Sequence, residues 1–366
     1  MLARRNLDHD YSLGNNLSRA LGHVAWRRVA SAGTLRLAAI PFSVGIGLSA
    51  LLFAQSASPS PDNSITFQRG RELSIRDKSQ PRWAGKYLVE VQDKESRAPL
   101  FSLTDSAGNK ERVNFQLPDT AYIAALEYNL GADGSMAVTG AALNGKNGGA
   151  NFIAWISPDR KRQTVIQAYP LVPETVAVGS DGVIWTAGTL FDDEKRAAIA
   201  YDVIRRYSPS GNLLSSVPVP GLRPGRGPAR AAGTSQLQAA GDLVGWFTSG
   251  DQYVEFSLDG KETGRFEGPP GWGEPGVPMP ESLFDRLAVS ADNQVVVCGV
   301  SHDRNSMILL TLDRRNRAWV PVSLPGEGTP YLGRLLGFDG MELVTQDARH
   351  GGAVHWTRGT GAMVPY

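Results

Sequence analysis

Cysteine is nearly absent from this sequence: Cys298 is the single cysteine in 366 residues. One cysteine can form neither an intrachain disulfide nor a cysteine-ligated metal cluster. Cys298 lies in an apolar, strand-like run, residues 294–299, and we expect it to be a small buried side chain. An excess of one charge is also absent, with 37 Lys and Arg against 36 Asp and Glu. This balance argues against a strongly basic domain of the kind that binds nucleic acid.

Helical periodicity and catalytic motifs are missing as well. No useful length of helical pattern follows Pro61, and the sequence contains no HExxH zinc motif, Walker loop, dinucleotide fingerprint or serine nucleophile elbow. Glycine and proline are plentiful instead, with 41 and 23 residues, and they separate short segments of alternating apolar residues. Many short strands joined by Gly/Pro turns predict an all-β sandwich, barrel or propeller.

The first 63 residues have the character of an export segment. Residues 1–36 form an arginine-rich stretch, residues 37–54 carry no charge, and residues 55–63 form a linker rich in small residues. This charge asymmetry predicts a cytoplasmic N-terminus and export of the rest of the chain. The apolar run is either the h-region of a cleaved signal peptide or a transmembrane anchor, and the long n-region favours an anchor or a start codon placed too early. Both alternatives predict an extracytoplasmic protein, periplasmic or secreted.

One element recurs six times: a short apolar-alternating strand followed by a tight polar turn. The six turns begin at Asp105, Ser157, Ser208, Leu258, Leu312 and Arg358. Their spacings of 52, 51, 50, 54 and 46 residues lie close to a period of 50, which is in the range of propeller blades. A sandwich is the main rival architecture, but it does not explain six regularly spaced units.

A second turn precedes each of the later five. These turns are Asp133-Gly134, Asp181-Gly182, Gly241-Asp242, Asp292-Asn293 and Asp339-Gly340. Asp-Gly and related pairs favour the positive φ angles of hairpins, and alternating strands flank each pair. Each unit therefore reads as strand A, tight turn, strand B, loop, strand C, tight turn, strand D. The sequence predicts that residues 64–366 form a six-bladed β-propeller of four-stranded antiparallel blades.

The first unit is less regular than the others. Its strands A to D are predicted at residues 73–75, 87–91, 99–103 and 112–117. Residues 65–67 precede this unit, and we expect them to pair with the last blade and close the ring, because closure removes exposed sheet edges. Trp185 and Trp246 follow their A–B turns by similar distances, so we expect both to pack between blades.

The third unit carries a resemblance to a known group of propellers. Residues 173–188, PETVAVGSDGVIWTAG, resemble blades of the NHL-repeat, SMP-30/gluconolactonase and streptogramin-lyase-like group. The resemblance covers residues 65–366 as architecture, and this one unit as sequence. It implies a six-bladed ring whose relatives include lactonases with a calcium ion in the central channel, lyases and non-catalytic binding proteins. It places no metal ligand on a particular residue of this chain.

The loop lengths predict which face binds. The A–B and C–D turns are tight and share one face, whereas the B–C and D–A loops vary in length and share the other, where binding residues usually lie. Strand A is expected to bring Glu174, Asp285, Arg286 and Arg334 to the channel at that mouth. The B–C loops are expected to surround them with Asp192, Asp251, His302, Asp303 and His350. In one interpretation these polar groups bind a ligand. In the other they are exposed to solvent or pair with one another.

Three functions fit these features. The first is a non-catalytic propeller that binds a partner protein, a glycan or a small polar ligand at the cell envelope, with no required cofactor and no contact with nucleic acid. The second is a metal-dependent lactonase or lyase-like hydrolase acting at the channel mouth, where carboxylates would favour calcium and histidines a transition metal. The third is a sensory or assembly module that depends on its membrane tether. Only the N-terminal segment is expected to meet the membrane.

Overall fold

The computed structural model describes residues 65–74, 81–144, 148–194, 197–219, 236–248, 252–269, 284–300, 307–324, 333–347 and 352–358. The predicted export segment and linker, residues 1–63, lie outside these ranges. The regular elements of the described ranges are strands. Within the same ranges, no helix has both the length and the apolar character needed to cross a membrane.

The strands form six blades, and in blades 1 to 5 strands A to D follow one another along the chain. Blade 1 contains β2 (Arg82–Ala84), β3 (Tyr87–Asp93), β5 (Leu100–Asp105) and β6 (Lys110–Asn114), with a short β4 (Glu95–Ser96) that pairs with blade 2. Blade 2 contains β7 (Tyr122–Leu130), β8 (Met136–Leu143), β9 (Gly149–Ile156) and β10 (Gln163–Gln167). Blade 3 contains β11 (Leu171–Val178), β12 (Ile184–Asp192), β13 (Ala197–Tyr207) and β14 (Leu213–Val219).

Blades 4 and 5 repeat this order, and blade 6 differs in the origin of its strand D. Blade 4 contains β15 (Gln236–Ala240), β16 (Leu243–Phe247), β17 (Gln252–Ser257) and β18 (Glu262–Glu267). Blade 5 contains β19 (Phe284–Val289), β20 (Val295–Val300), β21 (Met307–Asp313) and β22 (Ala318–Ser323). Blade 6 contains β23 (Gly333–Asp339), β24 (Glu342–Asp347), β25 (Gly352–Arg358) and, as its strand D, β1 (Ile65–Ser74). The A strands contact one another in the pairs β7–β11, β11–β15, β15–β19, β19–β23 and β23–β2, and the six A strands surround the central channel. The predicted six-bladed propeller is confirmed.

Strand β1 closes the ring. It pairs antiparallel with β25 from Phe67 to Ser74, and Ile65 pairs in parallel with Val322 of blade 5. Ring closure by this segment is therefore confirmed, but of residues 65–67 only Phe67 pairs with the last blade, whereas Ile65 and Thr66 pair with blade 5. The prediction of strand A of blade 1 at residues 73–75 was wrong, because Leu73 and Ser74 belong to β1. The real strand A is β2, whose three residues are too few to show an alternating pattern.

The predicted turn chemistry and core contacts are also present. Gly134, Gly182 and Gly340 have φ angles of 90°, 77° and 63°, as their hairpins require. Trp185 and Trp246 are both 0% exposed and share a hydrophobic cluster between blades 3 and 4, which confirms their predicted packing. Buried residues of this kind at each blade interface make the ring a rigid scaffold for the channel.

Candidate functional site

The central channel contains a cavity of about 110 Å³. Each of the six A–B turn regions contributes one lining residue: Gly85, Ala132, Ser180, Gly241, Ala291 and Gly340. The cavity therefore extends to the face of tight turns. Its remaining lining comes from the A strands. Near the turns it includes Leu130, Val178 and Val289, whose side chains are buried in the hydrophobic clusters between blades.

The turns around this end of the channel touch one another. Ser180 Oγ donates a hydrogen bond to the carbonyl of Gly241 in the next blade, and Ala291 N donates to Gly340 O at 3.0 Å. Gly241 has a φ of 56°, and a Cβ added there would lie 2.5 Å from the carbonyl oxygen of Ala291. Only glycine permits both that conformation and that close approach. The turns of blades 3 to 6 therefore contact one another around the rim of the cavity.

Five polar side chains, here named the channel belt, line the cavity behind this rim. They are Arg82, Asn129, Gln236, Gln238 and Arg286. Asn129 Nδ2 donates to Gln238 Oε1 at 3.1 Å, so this amide pair joins blade 2 to blade 4 across the channel. Gln236 Oε1 accepts a 2.6 Å hydrogen bond from the backbone N–H of Leu287, so this side chain joins blade 4 to blade 5.

Arg82 is held by an ion pair with the neighbouring blade. Its Nη2 donates to Glu127 Oε1 at 2.9 Å, and its Nη1 contacts the other carboxylate oxygen. The guanidinium also lies 5.4 Å from the centre of the Tyr128 ring. Burial is the main cause that raises the pKa of Tyr128; the charges of Arg82 and Arg286 lower it, and those of Glu127 and Glu90 raise it. The Tyr128 hydroxyl therefore stays protonated, near two arginines and two glutamates.

Arg286 is the second cation of the belt and was predicted to line the channel. It lies in strand A of blade 5, is 7% exposed, and lines the cavity. Its placement beside Arg82, Tyr128 and the amides gives the cavity a surface rich in hydrogen-bond donors. Among the described residues that line the cavity, none is an aspartate, a glutamate or a histidine.

Three other predicted residues are described but lie away from this cavity. Glu174 lies in β11, Arg334 in β23 and Asp192 at the end of β12, and none of the three is part of its lining. Thr189 Oγ1 donates to Glu174 Oε1 at 3.3 Å, within blade 3. Glu174 lies four residues and Arg334 five residues before the last residue of its A strand.

The remaining predicted site residues fall outside the described parts. These are Asp251, His302, Asp303 and His350, together with the side chain of Asp285. A ligand ring at the mouth formed by the B–C and D–A loops therefore stays a prediction.

A second polar cluster lies in blade 6. The donor atoms of Asp339, Glu342 and His355 lie within 4.8 Å of one another. His355 is 1% exposed, and its Nδ1 is 3.2 Å from Glu342 Oε2. Because a carboxylate oxygen can only accept, Nδ1 carries the hydrogen of the neutral ring. Arg71, from the ring-closing strand, contacts both carboxylates. A divalent cation would have to displace this guanidinium.

Burial governs the protonation of this cluster. It is the main cause that lowers the pKa of His355, and the nearby Arg71 charge lowers it further. Burial also raises the pKa of Asp339, against the effects of Arg71 and His355. His355 Nε2 has no hydrogen-bond partner in the part of the chain that is described, so a proton added there would be buried without an acceptor. The arrangement suits a neutral histidine in an ion-pair network that ties β1 to its blade.

Sequence reasoning missed four of the five belt residues. Arg82 was overlooked because β2 was misplaced, and Asn129 because a single asparagine at a strand end usually indicates a turn. Gln236 and Gln238 did carry a signal: two glutamines at i and i+2 share one side of an inner strand, where apolar residues are the norm. That signal gains meaning only when strand A is known to face a channel.

Comparison with known proteins does not assign the chain to a family. No protein-family model matches the chain, and no curated protein matches it in sequence.

Proposed function

We propose that this chain is a non-catalytic β-propeller that binds a partner at the cell envelope through its central channel. One observation carries the proposal: a cavity on the ring axis is lined by two guanidinium groups and three amides, and by no acidic or histidine side chain among its described residues. Such a surface binds polar and anionic groups through hydrogen bonds. Its described lining contains no aspartate, glutamate, histidine or lysine, and tyrosine is its one side chain of a type that takes part in acid–base catalysis.

The alternative is a metal-dependent lactonase or lyase, as the resemblance of residues 173–188 to the NHL-repeat, SMP-30/gluconolactonase and streptogramin-lyase-like group implies. Calcium requires several oxygen ligands, and carboxylates usually provide most of them. The described cavity lining offers amide oxygens and two guanidinium groups but no carboxylate, so it contains few ligands for calcium. This set of side chains favours binding over metal-dependent hydrolysis.

The cellular compartment is inferred from the sequence. The uncharged run at residues 37–54 behind an arginine-rich segment supports export, followed by periplasmic, secreted or membrane-tethered placement. Cell fractionation tests this directly: we expect the chain in the periplasm, the medium or the membrane fraction. Recovery of the full-length chain in the cytoplasm would refute export.

The binding function can be tested with the full-length protein. Thermal unfolding would be recorded with a panel of capped amino acids, monosaccharides and disaccharides, and lactone and ester hydrolysis would be measured with and without calcium. We expect at least one panel member to raise the unfolding temperature and to be recovered unchanged. A ligand at a hundred times its Kd should stabilise the fold by about 2.7 kcal/mol. Calcium-dependent turnover of a lactone would replace the binding proposal with the enzyme alternative.

A further inference from the structure

The channel belt indicates what kind of group the cavity accepts. We propose that the partner is a protein that inserts an acidic side chain, with glutamate as the best fit, through the ring of A–B turns, so that its carboxylate lies among Arg82, Gln238 and Arg286. This inference rests on the proposed binding function and extends it by naming the ligand class and the entry face. It places the ligand at the tight-turn face, opposite to the mouth predicted from loop lengths.

The size of the cavity favours a single side chain. Its volume of about 110 Å³ is below the roughly 150 Å³ of a cavity that accommodates benzene. A folded segment of a partner therefore cannot enter. The touching turns form a rim of small residues such as Gly85, Ala132 and Gly241, against which a partner backbone could lie.

The order of chemical groups along the channel matches a glutamate. Ala132, Ala240 and Ala291, at or beside the turns and partly or fully exposed, would contact the methylene groups of the entering side chain. Arg82 and Gln238 each lie two residues inside the last residue of their strand, which is about 7 Å along the channel. A carboxylate on a short apolar stem satisfies both layers, whereas an acidic sugar would bring hydroxyl groups against the aliphatic layer.

The belt also offers suitable donors. The pair formed by Asn129 and Gln238 uses one amide N–H of Asn129 and the amide oxygen of Gln238, and Gln238 Nε2 has no partner among the described residues. That amide can donate to an entering oxygen. A guanidinium carries five N–H donors, so Arg286 can add a carboxylate to its existing contacts. Charge-assisted hydrogen bonds of this type distinguish a carboxylate from a neutral amide.

The test uses the full-length protein and two small probes of equal size. N-acetylglutamate α-amide carries the carboxylate, and N-acetylglutamine α-amide replaces it with a neutral amide. Titration calorimetry should give at least tenfold tighter binding of the acidic probe, and a weaker preference at high salt. Equal affinity of the two probes, or no binding of the acidic one, would overturn the proposal.

Variants locate the site. Gln238→Leu and Arg286→Met should each lower the affinity for the acidic probe about tenfold. Arg112→Met, at an exposed position of blade 1, should leave that affinity unchanged. If Arg286→Met fails to fold, Gln238→Leu alone decides the matter. Unaltered affinity in a folded Gln238→Leu protein contradicts the site. Binding of glucuronate without binding of the glutamate probe would overturn the ligand class and leave the proposed binding function standing.

Discussion

Two buried tryptophans offer a matched test of how hydrogen bonding stabilises this ring. Trp185, in blade 3, and Trp356, in blade 6, are both 0% exposed. An arginine lies over each ring, with Arg206 at 4.9 Å and Arg69 at 6.0 Å from the ring centres. They differ at the indole nitrogen. Trp356 Nε1 donates to Thr345 Oγ1 at 2.8 Å, whereas Trp185 Nε1 is buried without a hydrogen-bond partner in the described structure.

The change is a substitution of each tryptophan by phenylalanine. Either change removes part of a buried ring, which costs about 1–2 kcal/mol, a fraction of the 3–5 kcal/mol expected for alanine. At Trp185 the same change also removes a buried, unpaired N–H, whose desolvation penalty is about 1–3 kcal/mol. The two effects nearly cancel. At Trp356 the lost hydrogen bond adds about 1 kcal/mol to the lost packing. We therefore expect Trp185→Phe to change stability by less than about 1 kcal/mol and Trp356→Phe to destabilise by about 2–3 kcal/mol.

Urea unfolding followed by far-ultraviolet circular dichroism provides the measurement. A shift of the midpoint with an unchanged slope reports the change in the free energy of unfolding. Trp185→Ala serves as the control for burial and should cost about 3–5 kcal/mol. A Trp185→Phe protein that is destabilised as much as Trp356→Phe would refute the reasoning, because it would mean that the unpaired N–H carries no penalty.

Two further predictions concern the ring closure and its ionisable cluster. Phe67, in the closing strand, is 0% exposed, and Phe67→Ala should lower the free energy of unfolding by about 3–5 kcal/mol. Gln68→Ala, at an exposed position of the same strand, should change it by less than about 0.5 kcal/mol in urea unfolding. Equal effects of the two substitutions would contradict the role of Phe67. Because burial lowers the pKa of His355 in the fold, the unfolded chain binds that proton first, and stability should fall as the pH drops below about 6.5. The raised pKa of Asp339 acts with the opposite sign, at the lower pH where that carboxyl titrates. Melting temperatures between pH 7.5 and 5.5 should therefore decline less in His355→Gln than in the native chain, and an identical decline would exclude His355 as the cause.

Local sequence signals account for most of the architecture. In Asp181-Gly182 and Asp339-Gly340 the glycine has a positive φ angle, as a tight hairpin requires. The alternating apolar residues beside these turns indicate strands without reference to the rest of the fold. The repeat near 50 residues then identifies blades, because a blade completes its sheet with strands close in sequence. The exception is β2, where three residues and a short turn give too little pattern to locate a strand. Because β1 closes the ring, Leu73 belongs to blade 6, although it lies next to blade 1 in sequence.

The sequence by itself therefore determined the all-β class, the six blades, the turn positions and the burial of Trp185 and Trp246, since each depends on residues within one unit. Only the tertiary structure decided which polar side chains meet. Asn129 and Gln238 are 109 residues apart and lie in blades that are not neighbours, yet they hydrogen-bond across the channel. Arg71 and Asp339 meet only because the N-terminal strand completes the last blade. No local pattern encodes such contacts, because closing the ring sets the distance between inner strands and hence the side chains that share the axis.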